Sequence, residues 1–330
     1  SPESGQRAFA IRGIVYRKVQ AKNPQNLIET VTRFLKLEDW RVLSSPLRTE
    51  LLGILSQAIR NYSDELNEAG RVLEAGRMII KQSNDFPSIP KHNSLYRDAV
   101  YMLAIGGEWS EALKYANLGL DIKGFKFKGD LAYLKARSLE YQLRFLPSAQ
   151  AYLDMGRKYK RHSRSETALN KSVILAKAEN NLTLAAAANI QLAKKSKTNK
   201  SRFRYYANVS DLYYQLGKNQ ESLKYGKLAL KFSSSRDQNL SQRLSNAKNR
   251  FALGSQESAL KEFRKLSLDA QKFRDRIDYK TYQDIRGESN FILAEELRER
   301  FIDFRVAEQK RHWKYHLKDK VKLFERVFSN

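Results

Sequence analysis

Residues 94–122 read SLYRDAVYMLAIGGEWSEALKYANLGLDI, and their pattern of apolar, glycine and small residues indicates the fold. Its first half carries apolar residues at helical spacing on one side: Leu95, Ala99, Met102 and Leu103. Gly106 and Gly107 end that helix, because glycine tolerates the left-handed conformation of a helix C-terminus. Ser110 can cap a second helix through its hydroxyl, and this helix carries Ala112 at its start. The stretch therefore predicts a helical hairpin, which cannot bury its apolar face alone and must stack on neighbours.

The same hairpin recurs along the chain at a nearly constant period. Its marker is the small residue at the start of the second helix, found at Ala75, Ala112, Ala149, Ala185, Ser222 and Ala259. The spacings between these positions are 37, 37, 36, 37 and 37 residues. Large residues keep the same phase sixteen positions before the marker, at Tyr96, Tyr133, Leu169 and Tyr206. Chance helical patterns would not hold phase in this way, so the sequence predicts an array of stacked hairpins.

This pattern resembles the tetratricopeptide repeat (TPR) family. In that family a small residue opens the second helix, and glycine occupies the turn between the two helices. The resemblance covers roughly residues 55–270. The chain departs from the family in a period longer than the usual ~34 residues and in Arg144 and Asn180 at turn-glycine positions. The resemblance implies an all-α fold, a right-handed α-solenoid of about six TPR-like units of 36–37 residues with a long C-terminal helix.

The sequence predicts four segments: a loose N-terminal arm at 1–22, divergent leading helices at 23–54, the TPR-like solenoid at 55–270, and a C-terminal capping region at 271–330. In the leading segment, Glu38-Asp39-Trp40 is similar to Glu108-Trp109 of the best-defined hairpin. Residues 288–328 contain no Gly or Pro, which predicts one long final helix. The alternative is two helices broken near Gln309.

Composition argues against an enzyme. The chain has no cysteine, which excludes disulfides, thiolate metal sites and a cysteine nucleophile. It also lacks a Gly-rich phosphate loop, a nucleophile elbow and an H-E-x-x-H motif. His312 and His316 have the spacing of zinc ligands, but Lys314 and Lys318 would repel a cation, so a basic amphipathic helix is favoured. We therefore expect no catalytic residues, no metal and no cofactor.

Charge is concentrated at particular turns. The chain has 61 Lys and Arg against 36 Asp and Glu, a formal net charge of +25. Acid-free basic groups fall where one repeat passes into the next: Lys123, Lys126, Lys128, Arg157, Lys158, Lys160, Arg161, Lys194, Lys195, Lys197, Lys200 and Arg202. Because equivalent turns line up in a stacked array, the sequence predicts a basic ridge that attracts an anionic partner. The alternative is the ordinary preference of cations for helix C-termini.

The TPR resemblance also implies a partner-binding concave face made by the first helix of each hairpin. Its positions carry Arg60, Arg97, Tyr101, Tyr141, Asn170, Lys177, Arg204, Asp211, Tyr214, Lys248 and Phe251. Tyr offers a broad contact area and Arg pairs with carboxylates, although an unliganded, solvated groove is the alternative. The Lys-and-Asn carboxylate clamp of chaperone-binding relatives is not matched, which disfavours a chaperone-tail role.

These features predict a non-enzymatic TPR scaffold or adaptor that binds partner proteins, through an acidic surface or peptide, in a larger assembly. A bacterial cell-envelope machine, such as a flagellar, pilus or outer-membrane assembly, fits by analogy. The alternative is a helical-repeat protein that binds RNA or another anionic polymer. The chain begins with Ser1 rather than Met, which favours an exported, periplasmic location, with the cytoplasm as the alternative. The basic C-terminal helix is a further candidate for contact with a membrane surface or with a groove in a partner.

Overall fold

The computed structural model describes residues 2–36, 45–303 and 313–329, and every regular element within these ranges is helical. The α-helices are α1 (Pro2–Gln20), α2 (Pro24–Leu35), α3 (Ser45–Glu68), α4 (Val72–Asp85), α5 (His92–Ile105), α6 (Trp109–Asp121), α7 (Lys128–Tyr141), α8 (Phe145–Lys158), α9 (Ser165–Ala178), α10 (Leu182–Lys195), α11 (Asn199–Gln215), α12 (Asn219–Leu230), α13 (Arg236–Ala252), α14 (Gln256–Lys272), α15 (Tyr279–Asp303) and α16 (Trp313–Ser329). None of the helices described is both long and apolar enough to span a bilayer.

The chain divides into two compact units, Ser1–Ser165 and Glu166–Asn330. In the first unit each helix packs on the next from α1 to α8, and α5 also packs on α7. In the second unit successive helices pack from α10 to α16, and α13 also contacts α11 and α15. Short connections make neighbouring helices antiparallel, so each unit is a stack of hairpins. The prediction of an all-α repeat of stacked helical hairpins is therefore confirmed.

One residue in each hairpin turn adopts a left-handed backbone conformation with positive φ. These residues are Gly70, Gly107, Leu143, Asn180, Gly217 and Gly254, spaced by 37, 36, 37, 37 and 37. The third repeat therefore has Leu143 at the turn position that the sequence pattern assigned to Arg144. The first helical hydrogen bond of α8 likewise runs from the Ser148 N–H to the Arg144 carbonyl.

The small residue that opens α8 is therefore Ser148 rather than Ala149, a correction of one residue to the predicted register. Serine fits this close contact because the Ser148 hydroxyl donates to the Ala136 carbonyl at 2.8 Å and is fully buried. The Ser222 hydroxyl makes the equivalent bond to the Ser210 carbonyl at 2.6 Å. A buried serine is as small as alanine here and satisfies its own polar atom.

Replacing Leu143 by glycine is expected to stabilise the chain by about 1 kcal/mol. Leucine at φ 59° bears a steric cost of roughly that size, which glycine avoids. The Leu143 side chain is 74% exposed, so its removal sacrifices little burial. Urea unfolding measures the change, and Gly107→Ala is the control, expected to destabilise because φ there is 86°. A lower stability for Leu143→Gly would contradict this account of the turn.

Two predictions about the ends of the chain are wrong. The predicted loose arm at 1–22 contains α1, which packs on α2 and buries Ile11 and Val15, two residues four positions apart on one helix face. The predicted single helix at 288–328 is replaced by α15 and α16, which pack on each other. The Lys320 ammonium lies 4.9 Å from the centre of the Phe301 ring, whereas one straight helix would separate these residues by ~28 Å.

The alternative of two C-terminal helices therefore fits, although the proposed break at Gln309 lies outside the described residues, as do Glu38-Asp39-Trp40 and His312. α15 packs on both α13 and α14 at the C-terminal end of the second unit. In the leading segment, α3 runs from Ser45 to Glu68 without a break at the predicted boundary after residue 54.

Candidate functional site

The two acid-free basic turns of the first unit meet in one cleft of about 740 Å³. One turn joins α6 to α7, and the other follows α8. We call this site the basic cleft; its lining residues are Phe125, Lys126, Lys128, Gly129, Arg157, Lys158, Tyr159, Lys160, Arg161 and His162. Six of these are Lys or Arg, and the described lining contains no carboxylate. Turns 35 residues apart in sequence thus combine into a single positively charged surface.

Contacts between the second turn and the start of α7 hold the basic cleft together. The His162 Nε2 atom lies 3.3 Å from the Asp130 Oδ1 atom. Gly129 makes room for this ring, because a Cβ at that position would lie only 2.6 Å from His162 Cδ2. The Arg164 guanidinium lies 4.9 Å from the centre of the Tyr133 ring. The turn after α8 is therefore fixed against α7 by a polar contact, a close ring contact and a cation–π contact.

In both units, an arginine near the start of a first helix contacts an aromatic ring of the following inter-repeat turn. In the first unit, the Arg97 guanidinium lies 4.4 Å from the centre of the Phe127 ring. In the second unit, Arg202 lies 5.4 Å from the Phe232 ring and Arg236 lies 4.6 Å from the Phe273 ring. Within each unit, then, the turns between repeats lie along a common edge.

Seven of the predicted ridge residues belong to the first unit and five to the second. Lys126, Lys128, Arg157, Lys158, Lys160 and Arg161 join in the basic cleft of the first unit, with Lys123 exposed on the same turn. Lys194, Lys195, Lys197, Lys200 and Arg202 surround the α10–α11 turn of the second unit. Of these, Arg202 donates from Nε to the Ser196 carbonyl at 3.0 Å, so this side chain also stabilises the turn.

All the predicted concave-face residues lie on first helices: Arg60 on α3, Arg97 and Tyr101 on α5, Tyr141 on α7, Asn170 and Lys177 on α9, Arg204, Asp211 and Tyr214 on α11, and Lys248 and Phe251 on α13. Some of them have partners within the chain. The Lys248 ammonium pairs with Glu288 on α15 at 2.7 Å, and Phe251 packs edge-on against the buried Phe263 ring. Arg97 pairs with Asp98 at 2.6 Å while it covers Phe127. Tyr101, Tyr141 and Tyr214 remain exposed.

Tyr141 belongs to an aromatic stack that was not predicted from the sequence. The Tyr141 and Trp109 rings are parallel within 6°, with their centres 4.0 Å apart. The Arg137 guanidinium lies 5.4 Å from the Tyr141 ring centre and donates to the Tyr141 hydroxyl at 3.5 Å. This hydrogen bond raises the pKa of Arg137 above its ordinary value. Arg137 lies one helical turn before Tyr141, and this spacing could have indicated their contact from the sequence.

Two buried tyrosines anchor the helices that carry the basic cleft. The Tyr96 hydroxyl donates to the Tyr115 carbonyl at 3.0 Å, and burial raises the pKa of Tyr96 to about 12. The Tyr152 hydroxyl donates to Glu140 Oε2 at 2.7 Å. Burial, followed by this hydrogen bond, raises the pKa of Tyr152 above its ordinary value. Both phenols are therefore neutral structural groups at physiological pH.

The described part of the chain contains no group of three or more His, Asp or Glu that could hold a metal ion. The His316 residue of the predicted histidine pair lies on α16. The six Lys and Arg side chains of its lining make the basic cleft a candidate site for binding through charge.

No protein-family model matches the chain, and no curated protein sequence matches it. Solved structures similar to it include a tetratricopeptide repeat protein from Parabacteroides merdae, at 15% identity and a TM-score of 0.32, covering 86% of this chain and 99% of that one. Another is described as MamA MSR-1 C2, at 18% identity and a TM-score of 0.31. That match covers 55% of this chain and 98% of the other. A third is the APC/C hetero-tetramer Cut9–Hcn1, at 13% identity and a TM-score of 0.31. That match covers 81% of this chain and 52% of the other.

Three features of this chain define its repeats. They are the period of the hairpins, the small residue at the start of each second helix and the left-handed turn residue. Together they make this chain an all-α protein of stacked helical hairpins that repeat every 36–37 residues.

Proposed function

We propose that the chain is a non-enzymatic scaffold that binds an acidic segment of a partner protein at its basic cleft. The observation that carries this proposal is the convergence of six Lys and Arg residues on one cleft with no carboxylate in its described lining. Such a cluster raises the local concentration of anionic groups and increases their rate of association. Arg157 and Arg161 add the planar guanidinium geometry that pairs with carboxylates through two hydrogen bonds.

RNA is the second candidate ligand, because the same charge attracts phosphates. Proteins that hold single strands combine that charge with exposed aromatic rings on which bases stack. The two phenylalanines of the first turn do not offer such faces, because Phe125 is 5% exposed and Phe127 is covered by Arg97. The Lys158 ammonium lies 5.8 Å from the centre of the partly exposed Tyr159 ring. This arrangement favours an acidic polypeptide over a stacked strand.

We propose that the scaffold works in a larger assembly and that the exposed tyrosines on first helices, Tyr101 and Tyr141 in the first unit, provide additional contact area. The cell-envelope setting and the exported location stay predictions. Sequencing the gene upstream of Ser1 tests the second of them, because an exported protein requires a leader there.

A peptide–RNA comparison tests the proposed function. A fluorescent 20-residue polyglutamate, an oligouridylate of equal charge and a neutral polyglutamine are titrated with the protein while anisotropy is recorded at several salt concentrations. We expect polyglutamate to bind more tightly than the RNA at about 0.15 M salt, with a shallower salt dependence, and polyglutamine not to bind. Tighter binding of the RNA, with a steep log–log salt slope, would replace the proposed function by the second candidate.

A further inference from the structure

We infer that the acidic segment of the partner continues from the basic cleft into a groove between α6 and α8 as an amphipathic helix. This inference rests on the proposed function and specifies the partner. It places the contact on second helices, whereas the concave face implied by the TPR resemblance lies on first helices.

The groove follows from how the hairpins stack. α5 and α7 pack on each other, whereas α6 and α8 stand further apart, and the space between them has a volume of about 570 Å³. Its lining includes a row of apolar side chains: Leu113, Leu120, Leu139, Ala151 and Met155. α6 has 13 residues and α8 has 14, so the groove walls are ~20 Å long. An added helix of about the same length would fit between them.

The groove is continuous with the basic cleft. Lys158 and Tyr159 line both cavities, so a segment that lies in the groove reaches the clustered cations at this end. The groove lining also carries Lys135, Arg144 and two carboxylates, Asp121 and Asp154. Both carboxylates lie toward the cleft end of α6 and α8, where the six cations of the basic cleft outnumber them. An occupant with acidic residues at the cleft end and apolar residues along its inner face would match both surfaces.

Tyr159 lies at this junction, because it lines both cavities. Its hydroxyl oxygen is buried but has no hydrogen-bond partner in the described part of the chain. Leaving a buried polar group unpaired costs about 1–3 kcal/mol. The phenol of Tyr152, in contrast, is paired with Glu140 at 2.7 Å. Because that atom is buried in the free chain, the Tyr159 side chain must turn toward the cavity for a bound carboxylate or peptide group to pair its hydroxyl.

The first experiment uses three synthetic peptides with the intact chain. One has leucines at helical spacing followed by four glutamates, one has the same composition in scrambled order, and one is polyglutamate. We expect the amphipathic peptide to bind at least ~10-fold more tightly than its scrambled form, because only the ordered peptide buries its leucines in the groove. Equal affinities would overturn the inference, while loss of polyglutamate binding would overturn the proposed function instead.

Ala151→Glu tests the location of the apolar contact. Ala151 is only partly buried, so α8 accepts the substitution, and the new carboxylate lies on the groove lining. We expect this variant to remove the ~10-fold advantage of the ordered peptide and to retain most of the affinity for polyglutamate. The control is Ala10→Glu, an equal change of charge at an exposed site on α1, which should leave both affinities within about twofold. Similar effects of the two substitutions would overturn the inference.

Tyr159→Phe separates binding from folding. Removing an unpaired buried hydroxyl should leave the free energy of unfolding unchanged or raise it, yet lower the affinity for the amphipathic peptide several-fold. Tyr152→Phe is the matched control, expected to lower stability because its hydroxyl has a partner. An unchanged affinity for Tyr159→Phe would contradict the assignment of the junction. A dimer in sedimentation that Ala151→Glu dissociates would identify a second copy of the chain as the occupant and overturn the partner-helix inference.

Discussion

Reversing four cations of the basic cleft should weaken the binding of polyglutamate about 100-fold. The variant carries Lys126→Glu, Lys128→Glu, Arg157→Glu and Arg161→Glu, all in the cleft lining. An exposed ion pair contributes about 0.2–1 kcal/mol, and each reversal also introduces a repulsion. The sum of these effects is about 3 kcal/mol, which corresponds to roughly two orders of magnitude in Kd.

The matched control reverses four exposed cations elsewhere in the first unit: Arg7, Arg48, Lys81 and Lys114. Both variants lose eight units of charge, since each of four substitutions changes +1 to −1. Because exposed charges more than a Debye length apart are largely screened, the control should lose only a few-fold in affinity at about 0.15 M salt. Equal losses in the two variants would mean that net charge, rather than the basic cleft, attracts the peptide. Circular dichroism checks that both variants keep their helicity.

Phe263→Ala should have the largest effect on stability, a loss of about 3–5 kcal/mol in the free energy of unfolding. Phe263 lies on α14, is fully buried, and belongs to the apolar core of the second unit. Its ring meets the Phe251 ring edge-on, with the ring centres 6.4 Å apart. Truncation removes buried apolar surface and leaves a cavity between packed helices, and both effects destabilise.

Leu268→Ala is the control for this prediction, since it lies on the same helix but is 72% exposed. Its effect should stay within about 0.5 kcal/mol, as for most surface substitutions. Guanidinium unfolding followed by circular dichroism measures both variants. A loss below about 1 kcal/mol for Phe263→Ala would mean that the second unit is not packed as described.

The repeat architecture was predictable because each hairpin repeats the same local chemistry. Glycine at the turn and a small residue at the start of the second helix fix where two helices meet, and the period then predicts stacking. The one-residue error at Ala149 arose where serine and alanine are adjacent and both are small enough for the contact. Only the hydrogen bond from the Ser148 N–H to the Arg144 carbonyl shows which of the two is in register. Leu143, with its positive φ, was missed because leucine seldom adopts that conformation.

The terminal helices were harder to predict, since they lie outside the period. In α1, Ile11 and Val15 are buried, but these two positions alone give a weak helical pattern in the sequence. The separation of α15 from α16 has no Gly or Pro signal, so tertiary packing, such as the contact between Lys320 and Phe301, is what reveals it.

The candidate site was predictable only in part. The basic turns were visible as runs without acids, and the period indicated that such turns share an edge. The pairing of His162 with Asp130, the unpaired Tyr159 hydroxyl and the groove between α6 and α8 all depend on side-chain packing between residues distant in sequence. No local pattern encodes those distances.

In the first unit, successive turns lie at the same edge and form the basic cleft. Pulsed electron paramagnetic resonance tests this arrangement directly, because the chain has no cysteine and spin labels can be attached at introduced ones. Labels at Lys126 and Arg161 should be closer together than labels at Lys126 and Leu143, although the first pair is 35 residues apart and the second only 17. Neighbouring helices are about 8–10 Å apart, whereas the 14 residues of α7 extend ~21 Å. A longer distance for the Lys126–Arg161 pair would place the two turns on opposite sides and contradict the account.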